Sequence, residues 1–209
     1  MTRRDIEQLH QLMRSALQHN GPYPLSSGHI SKYYYDGKLR TLDPPAAWLI
    51  GNILVDPIID LGADAVGGLA VGAIPIAEVV GIAAHLRGHY LPSFYVLKEP
   101  KAHGTGSQVY QAQLPNNEEL LRPGRRVVIV DDVITTGKSI AQAIDVVEGL
   151  GCIVKGVIAL VERHESAGQL KGRGYPILRI FYTDADGNLF IDEEFVQTVE
   201  RAAGPRVLS

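Results

Sequence analysis

The chain has 209 residues, 45% of them hydrophobic and 21% charged, with a formal net charge of −3. That length suffices for one domain with a substantial core, and the slight acidic balance removes the electrostatic case for nucleic-acid binding, which rests on a basic surplus. Cys152 is the only cysteine, so an intrachain disulfide and a thiolate metal cluster are excluded and a reducing, cytoplasmic setting is expected.

In chain order, the opening MTRRDIEQLHQLMRSALQ breaks every apolar run with charge, so no signal peptide is expected. Leu9, Leu12, Met13 and Leu17 recur at helical spacing and predict a surface helix with one packed face. No stretch approaches the roughly 18 apolar residues of a membrane helix. NGPYPLSSGHISKYYYDGK, rich in turn-formers and tyrosines, reads as a loop entering a short strand at 33–36, and Pro44-Pro45 open a helix through 46–59. A buried strand over 65–70, a glycine-rich turn, a helix over 74–86 and the short strand SFYVLK follow. The segment EPKAHGTGSQVYQAQLPNNEELLRPGRR has no sustained apolar period. Its first half is expected to form a long, mobile loop of the kind that often carries function.

Then come the strand RVVIVDD, the helix SIAQAIDVVEGL and the strand IVKGVIALV; residues 182–188 suggest a late hairpin or turn, and the C-terminal tail adds little. Strands alternating with helices imply an α/β fold with a parallel sheet covered on both faces. The near-continuous apolar runs at 127–130 and 157–161 suit doubly buried strands.

The stretch VVIVDDVITTGKS, residues 127–139, carries the chemistry. Gly137, Lys138 and Ser139 look like the end of a P-loop, but that pattern needs a glycine where Asp132 stands. Asp131 and Asp132 are expected at the carboxyl end of a parallel strand, where α/β sheets bind ligands. The bland reading is a solvated strand end with a helix N-cap. Against it, two adjacent carboxylates repel, and sugar hydroxyls or a metal ion would relieve them. The turn that follows, Thr135 to Ser139, with its helix-opening N–H groups, the hydroxyls of Thr135 and Thr136 and no bulky side chain, suits a phosphate monoester. Together they describe a ribose 5-phosphate site.

This stretch resembles the phosphoribosyl diphosphate (PRPP) motif of type I phosphoribosyltransferases. The resemblance implies that family's fold: a central, mainly parallel sheet flanked by helices, with a small N-terminal hood. One domain is then expected over 1–209, with hood (about 1–45), core (about 46–165) and C-terminal elements (166–209). It also implies that Asp131 and Asp132 hold the ribose hydroxyls while Val133, Ile134, Thr135, Thr136, Gly137, Lys138 and Ser139 line the phosphate loop.

KEPKAHGTG, residues 98–106, resembles the catalytic loop of orotate phosphoribosyltransferases, K-x-x-K-x-H-G-x-G, and matches it at Lys98, Lys101 and His103. On physical grounds, cations on a loop can close over a leaving pyrophosphate and exclude water. SSGHISKYYYD resembles that family's substrate segment, with Tyr34 and Tyr35 at the aromatic positions expected near the pyrimidine. Arg163 falls where the family places an arginine on the orotate carboxylate, with Thr135 nearby; a bidentate pair makes chemical sense there, and a surface charge is the alternative. The resemblance further implies Mg2+ held mainly by PRPP, close to Asp131 and Asp132, and a homodimer in which the loop reaches the neighbour's site. PRPP and orotate are the expected partners, with no nucleic acid and no membrane.

The chain departs from the pattern at Leu97, where many members carry an arginine, and at Gly72 and Ser26, where some carry lysine. Arg40 and Arg87 are candidate substitute cations. Three readings stay open: orotate phosphoribosyltransferase, a phosphoribosyltransferase for another base, or a PRPP-sensing relative that lost the chemistry.

Overall fold

The computed structural model describes residues 2–18, 21–24, 30–31, 33–100, 107–164, 170 and 172–202, with the backbone alone at 17–18, 24, 30–31 and 34–35. Helix α1 (Arg3–Arg14) opens where the Thr2 amide and hydroxyl both donate to Asp5 Oδ2, each at 2.8 Å. It buries Ile6, Leu9 and Met13. Leu17, expected on the same helix, lies beyond its end on strand β1 (Leu17–Gln18). Short strands β2 (Tyr23–Pro24), β3 (Ile30–Ser31) and β4 (Tyr34–Tyr35) follow, pairing antiparallel as β2 with β3 and β1 with β4. Helix α2 (Lys38–Thr41) leads into α3 (Pro44–Asp60), which starts at the proline pair as expected.

The core is built from β5 (Ala65–Leu69), α4 (Ala73–Leu86), β6 (Ser93–Val96), β7 (Val109–Gln111), β8 (Arg126–Ile134), α5 (Lys138–Gly149) and β9 (Ile153–Glu162). The chain continues through β10 (Ile177–Thr183), β11 (Leu189–Ile191) and α6 (Glu193–Ala202). The seven-stranded sheet has the order β11-β10-β9-β8-β5-β6-β7. Its five central strands run parallel, and β7 and β11 are antiparallel edges.

Two expectations are corrected here. The stretch read as loop after the sixth strand contains the edge strand β7, whose short alternation is held by pairing with β6 rather than by an apolar period of its own. The C-terminal region, read as uninformative, supplies a parallel strand, its hairpin partner and a helix. The hairpin turn itself was legible: the carboxylate of Asp184 accepts from the amides of Asp186 and Asn188 at 3.0 and 2.8 Å.

Alternate residues of β8 feed two cores, as a strand covered on both faces requires. Val128 and Val130 join Ile53, Ile76, Ile158 and Phe181 under α1, α3, α4 and α6. Val127 and Ile129 join Phe94, Ile140, Ile144 and Val157 under α5. Phe181 is fully buried on β10, with the His10 ring 5.5 Å away; His10 Nε2–H donates to the Leu189 carbonyl at 2.8 Å. The same contacts thus bind α1 to the C-terminal hairpin.

Phe181→Ala is therefore expected to cost about 3–5 kcal/mol of unfolding free energy by leaving a cavity between the first and last elements. Urea denaturation followed by circular dichroism checks this; a loss below about 1 kcal/mol would mean that the N-terminal helix does not close this core.

Candidate active site

The order of the strands opens a cleft. The chain leaves β5 for β6 on one side and returns to β8 on the other, so β5 and β8 flank the point where winding reverses, the usual ligand site of an open α/β sheet. Pairing between them ends at Gly67 with Ile129, while Leu69 stays with Val96 of β6. Strand β8 runs on to Ile134, paired on its other side with β9.

Asp131 and Asp132 lie in this overhang. They were expected as the last two residues of the strand; β8 runs on to Ile134, and both are buried, each with 7% exposure. That rules out a solvated strand end. Each carboxylate takes the next amide: Asp132 N–H donates to Asp131 Oδ1 at 3.0 Å, and Val133 N–H donates to Asp132 Oδ1 at 2.9 Å. Glycines make the room. A side chain at Gly72 would place its Cβ 2.6 Å from Asp132 Oδ1 and 2.8 Å from Asp131 Oδ1, so the lysine that some relatives carry there would need a different local packing. Burial, and then the neighbouring charge of Asp132, hold the Asp131 carboxyl well above the usual carboxylate range, with Lys38 pulling the other way.

Lys38 was missed by the sequence reading. Its Nζ lies 3.3 Å from Asp132 Oδ2 and 3.9 Å from Asp36 Oδ1. Of the cations proposed as substitutes, Arg87 is engaged far from this role, bound to Asp56 Oδ2 at 3.0 Å and to Asn52 Oδ1 at 2.9 Å. Arg40 faces Asp43 at 3.8 Å.

After Ile134, the half-buried Thr135 and Thr136 lead to Gly137, whose φ of +77° favours glycine. That turn starts α5 at Lys138, and the exposed Lys138 and Ser139 leave the helix N-terminus open to an anion. Arg163 follows β9 directly, its amide donating to the Ile134 carbonyl at 3.0 Å, so it adjoins the start of the phosphate turn. It is 4% exposed, which rules out the surface-charge alternative. Its guanidinium lies 4.5 Å from the centre of the Tyr33 ring, and Tyr33 Oη is 3.0 Å from Thr183 Oγ1.

Lys98 is exposed at the foot of the β6–β7 connection, where its carbonyl accepts from Gln142 Nε2 of α5 at 2.7 Å. Leu97 N–H donates to the Gln108 carbonyl at 2.8 Å across that connection. Lys101 and His103 lie outside the described residues, as do the side chains of Tyr34 and Tyr35, whose backbone forms β4. Among the described residues no group of three or more His, Cys, Asp or Glu converges as a metal cage. With Lys38 beside Asp132, the donor set fits a cation that arrives on a substrate's oxygens.

The chain matches the phosphoribosyl transferase domain family over residues 46–177, a span that contains the buried acidic pair and the open N-terminus of α5. It is 40% identical over 183 residues to the orotate phosphoribosyltransferase of Streptomyces coelicolor, covering 87% of this chain and 96% of that one. To the same enzyme of Aquifex aeolicus it is 37% identical over 160 residues, 76% and 83% of the two chains. A Mycobacterium tuberculosis orotate phosphoribosyltransferase crystallised with Fe(III) dicitrate superposes with a TM-score of 0.72 at 31% identity, over 88% of this chain and 99% of that one. A structure of that enzyme with PRPP gives 0.67 at 28% identity, over 87% and 98%. The chain belongs to the orotate phosphoribosyltransferase family.

The raised Asp131 carboxyl has a signed consequence. Between the unfolded value of 3.8 and the higher folded one, the folded chain keeps a proton that the unfolded chain has released. Stability from this group is therefore complete below the unfolded value and is lost as pH rises through the folded one. Asp131→Asn is expected to raise Tm near neutral pH, with the gap to the parent closing in acid, while weakening PRPP binding at least about tenfold. Melting curves across pH and calorimetry with PRPP check both; an unchanged or lower Tm near neutrality would contradict the burial argument.

Proposed function

We propose that the chain transfers the 5-phosphoribosyl group of PRPP to orotate, giving orotidine 5-monophosphate and pyrophosphate with inversion at the anomeric carbon. The observation that carries this is the buried Asp131–Asp132 pair one turn before the N-terminus of α5, a ribose site next to a phosphate site. Asp131 and Asp132 accept the ribose hydroxyls. The turn from Val133 to Ser139 holds the 5-phosphate with the amides that open α5. Tyr34 and Tyr35 face the pyrimidine, and Arg163, with Thr135 beside it, binds the orotate carboxylate as a planar fork.

The reaction asks for little covalent chemistry from the protein. As the bond to pyrophosphate stretches, positive charge builds on the ribosyl ring and negative charge on the departing group. Catalysis is then alignment of orotate with the anomeric carbon and stabilisation of these charges in a site closed to water. Lys98, Lys101 and His103 bind the pyrophosphate, and a proton can reach it from His103 or Lys101. Asp131 and Asp132 would lie beside Mg2+ brought in with PRPP, and the ion would supply further shielding of the pyrophosphate charge when bound.

The protein works as a homodimer in which the 98–106 loop serves the partner's site. Support comes from α3 and α4, apolar nearly all round, which leave Trp48, Ile82 and Leu86 58%, 59% and 66% exposed beside one another's helices. No described helix is long and apolar enough to cross a membrane, and with one cysteine and no disulfide the cytoplasm is the proposed compartment.

Orotate consumption followed by absorbance, with PRPP and Mg2+, tests the assignment. Turnover is expected in the parent, and Lys101→Ala is expected to lower kcat by at least about a hundredfold by removing a charge-assisted contact that strengthens in the transition state. PRPP binding without turnover of orotate would overturn the assignment of the base.

A further inference from the structure

Lys38 belongs to neither of the motifs that define the site, yet it is the only described cation paired with the acidic pair. It begins α2, directly after the turn that leaves β4, the strand of Tyr34 and Tyr35. The contact is more than a long side chain reaching over a surface. At Gly37 an added Cβ would fall 2.9 Å from Asp132 Cβ and 3.0 Å from Asp132 Oδ2, so the backbone of the turn itself is pressed against this carboxylate. Asp132 Oδ1 is occupied by the Val133 amide and Oδ2 by Lys38 Nζ. Each oxygen keeps a further acceptor position, so a ribose hydroxyl can join without displacing either partner. The Asp132 side chain is 10% exposed and that of Lys38 47%, which sets this pair apart from fully exposed ion pairs of little worth.

We propose that Lys38 is a positioning residue of the transfer site: it fixes the orientation of the Asp132 carboxylate that receives the ribose, and it seats the base-binding segment over the sugar. The inference rests on the reading of Asp132 as a ribose ligand. It also places positive charge beside the site in a chain that has Leu97 where many relatives have an arginine.

Lys38→Met keeps the length and the apolar stem but removes the charge, Lys38→Arg keeps the charge, and Lys38→Gln is a second neutral variant should methionine impair folding. Lys38→Met is expected to weaken PRPP binding about tenfold by calorimetry, to raise KM for PRPP more than it lowers kcat, and to be rescued by Lys38→Arg to within about threefold of the parent. Because Lys38 acts through Asp132, the same change in an Asp132→Asn background is expected to add less than about twofold. Unchanged PRPP affinity in Lys38→Met, a full loss persisting in the Asp132→Asn background, or an arginine variant as impaired as methionine would each overturn the proposal. PRPP binding is measured without orotate, so failure to turn orotate over would sink the base assignment and leave this test standing. A parent that does not bind PRPP overturns both.

Discussion

Two adjacent carboxylates buried in a parallel strand are the constraint around which this molecule is arranged. Left alone, Asp131 and Asp132 would repel each other in a medium that screens poorly. Every neighbouring feature reduces that conflict or makes room for what relieves it. Strand β8 outruns its pairing with β5, so on that side the acidic pair has no strand beside it, while β9 continues on the other. Glycines at 37 and 72 let backbone approach where a side chain would collide. Local amides take one oxygen of each carboxylate, and Lys38 takes the remaining oxygen of Asp132. In the function proposed for the site, a ligand with two adjacent hydroxyls adds further donors to both acids.

The same constraint explains why the ends of the chain matter to a site written in its middle. Tyr33 links the N-terminal segment to β10 through Thr183 and lies against Arg163, which sits one residue beyond β9. Gly187, at φ +88°, passes so close to the Tyr33 ring that an added Cβ would fall 2.5 Å from it. The turn between β10 and β11 is thus shaped to receive this ring. Arg163 is held against the Tyr33 ring, and in the role proposed for it a guanidinium whose rotamer is fixed before substrate arrives loses less entropy on binding.

Legibility in the sequence followed the range of the interactions involved. The central strands and α5 could be read because their burial on both faces imposes apolar runs and helical periods on consecutive residues. The 127–139 stretch could be read because its acids, hydroxyls and glycine act within one turn of chain. Strand β7 could not, since three residues become a strand only through partners on β6. Nor could Lys38, whose meaning depends on a carboxylate 94 residues away. The continuation of β8 beyond Asp132 to Ile134 was missed for a related reason: a strand end is set by where its neighbours stop, and here one neighbour stops early while the other continues. Arg163 stood between surface and site in the sequence; its burial, against the ring of Tyr33 130 positions earlier, removes the surface reading.

The acidic pair also shows why such a site is kept at a cost in stability. A carboxyl whose ionisation is opposed by burial and by a neighbour destabilises the fold at the pH where the cell works, and a neutral amide would relieve that. In the function proposed for the pair, the amide would also exchange a strong acceptor for a weaker one where the ribose hydroxyls are held while charge develops on the ring beside them. Electrostatic stabilisation works best when the charges are fixed before the reaction begins. The fold can tolerate the charge because two well-filled cores flank β8, Val128 and Val130 on one face and Val127 and Ile129 on the other, immediately before the pair. The apolar run that made the strand legible is therefore also what holds the acids in place: it anchors the strand from behind, so that two adjacent carboxyl groups stay buried directly after it.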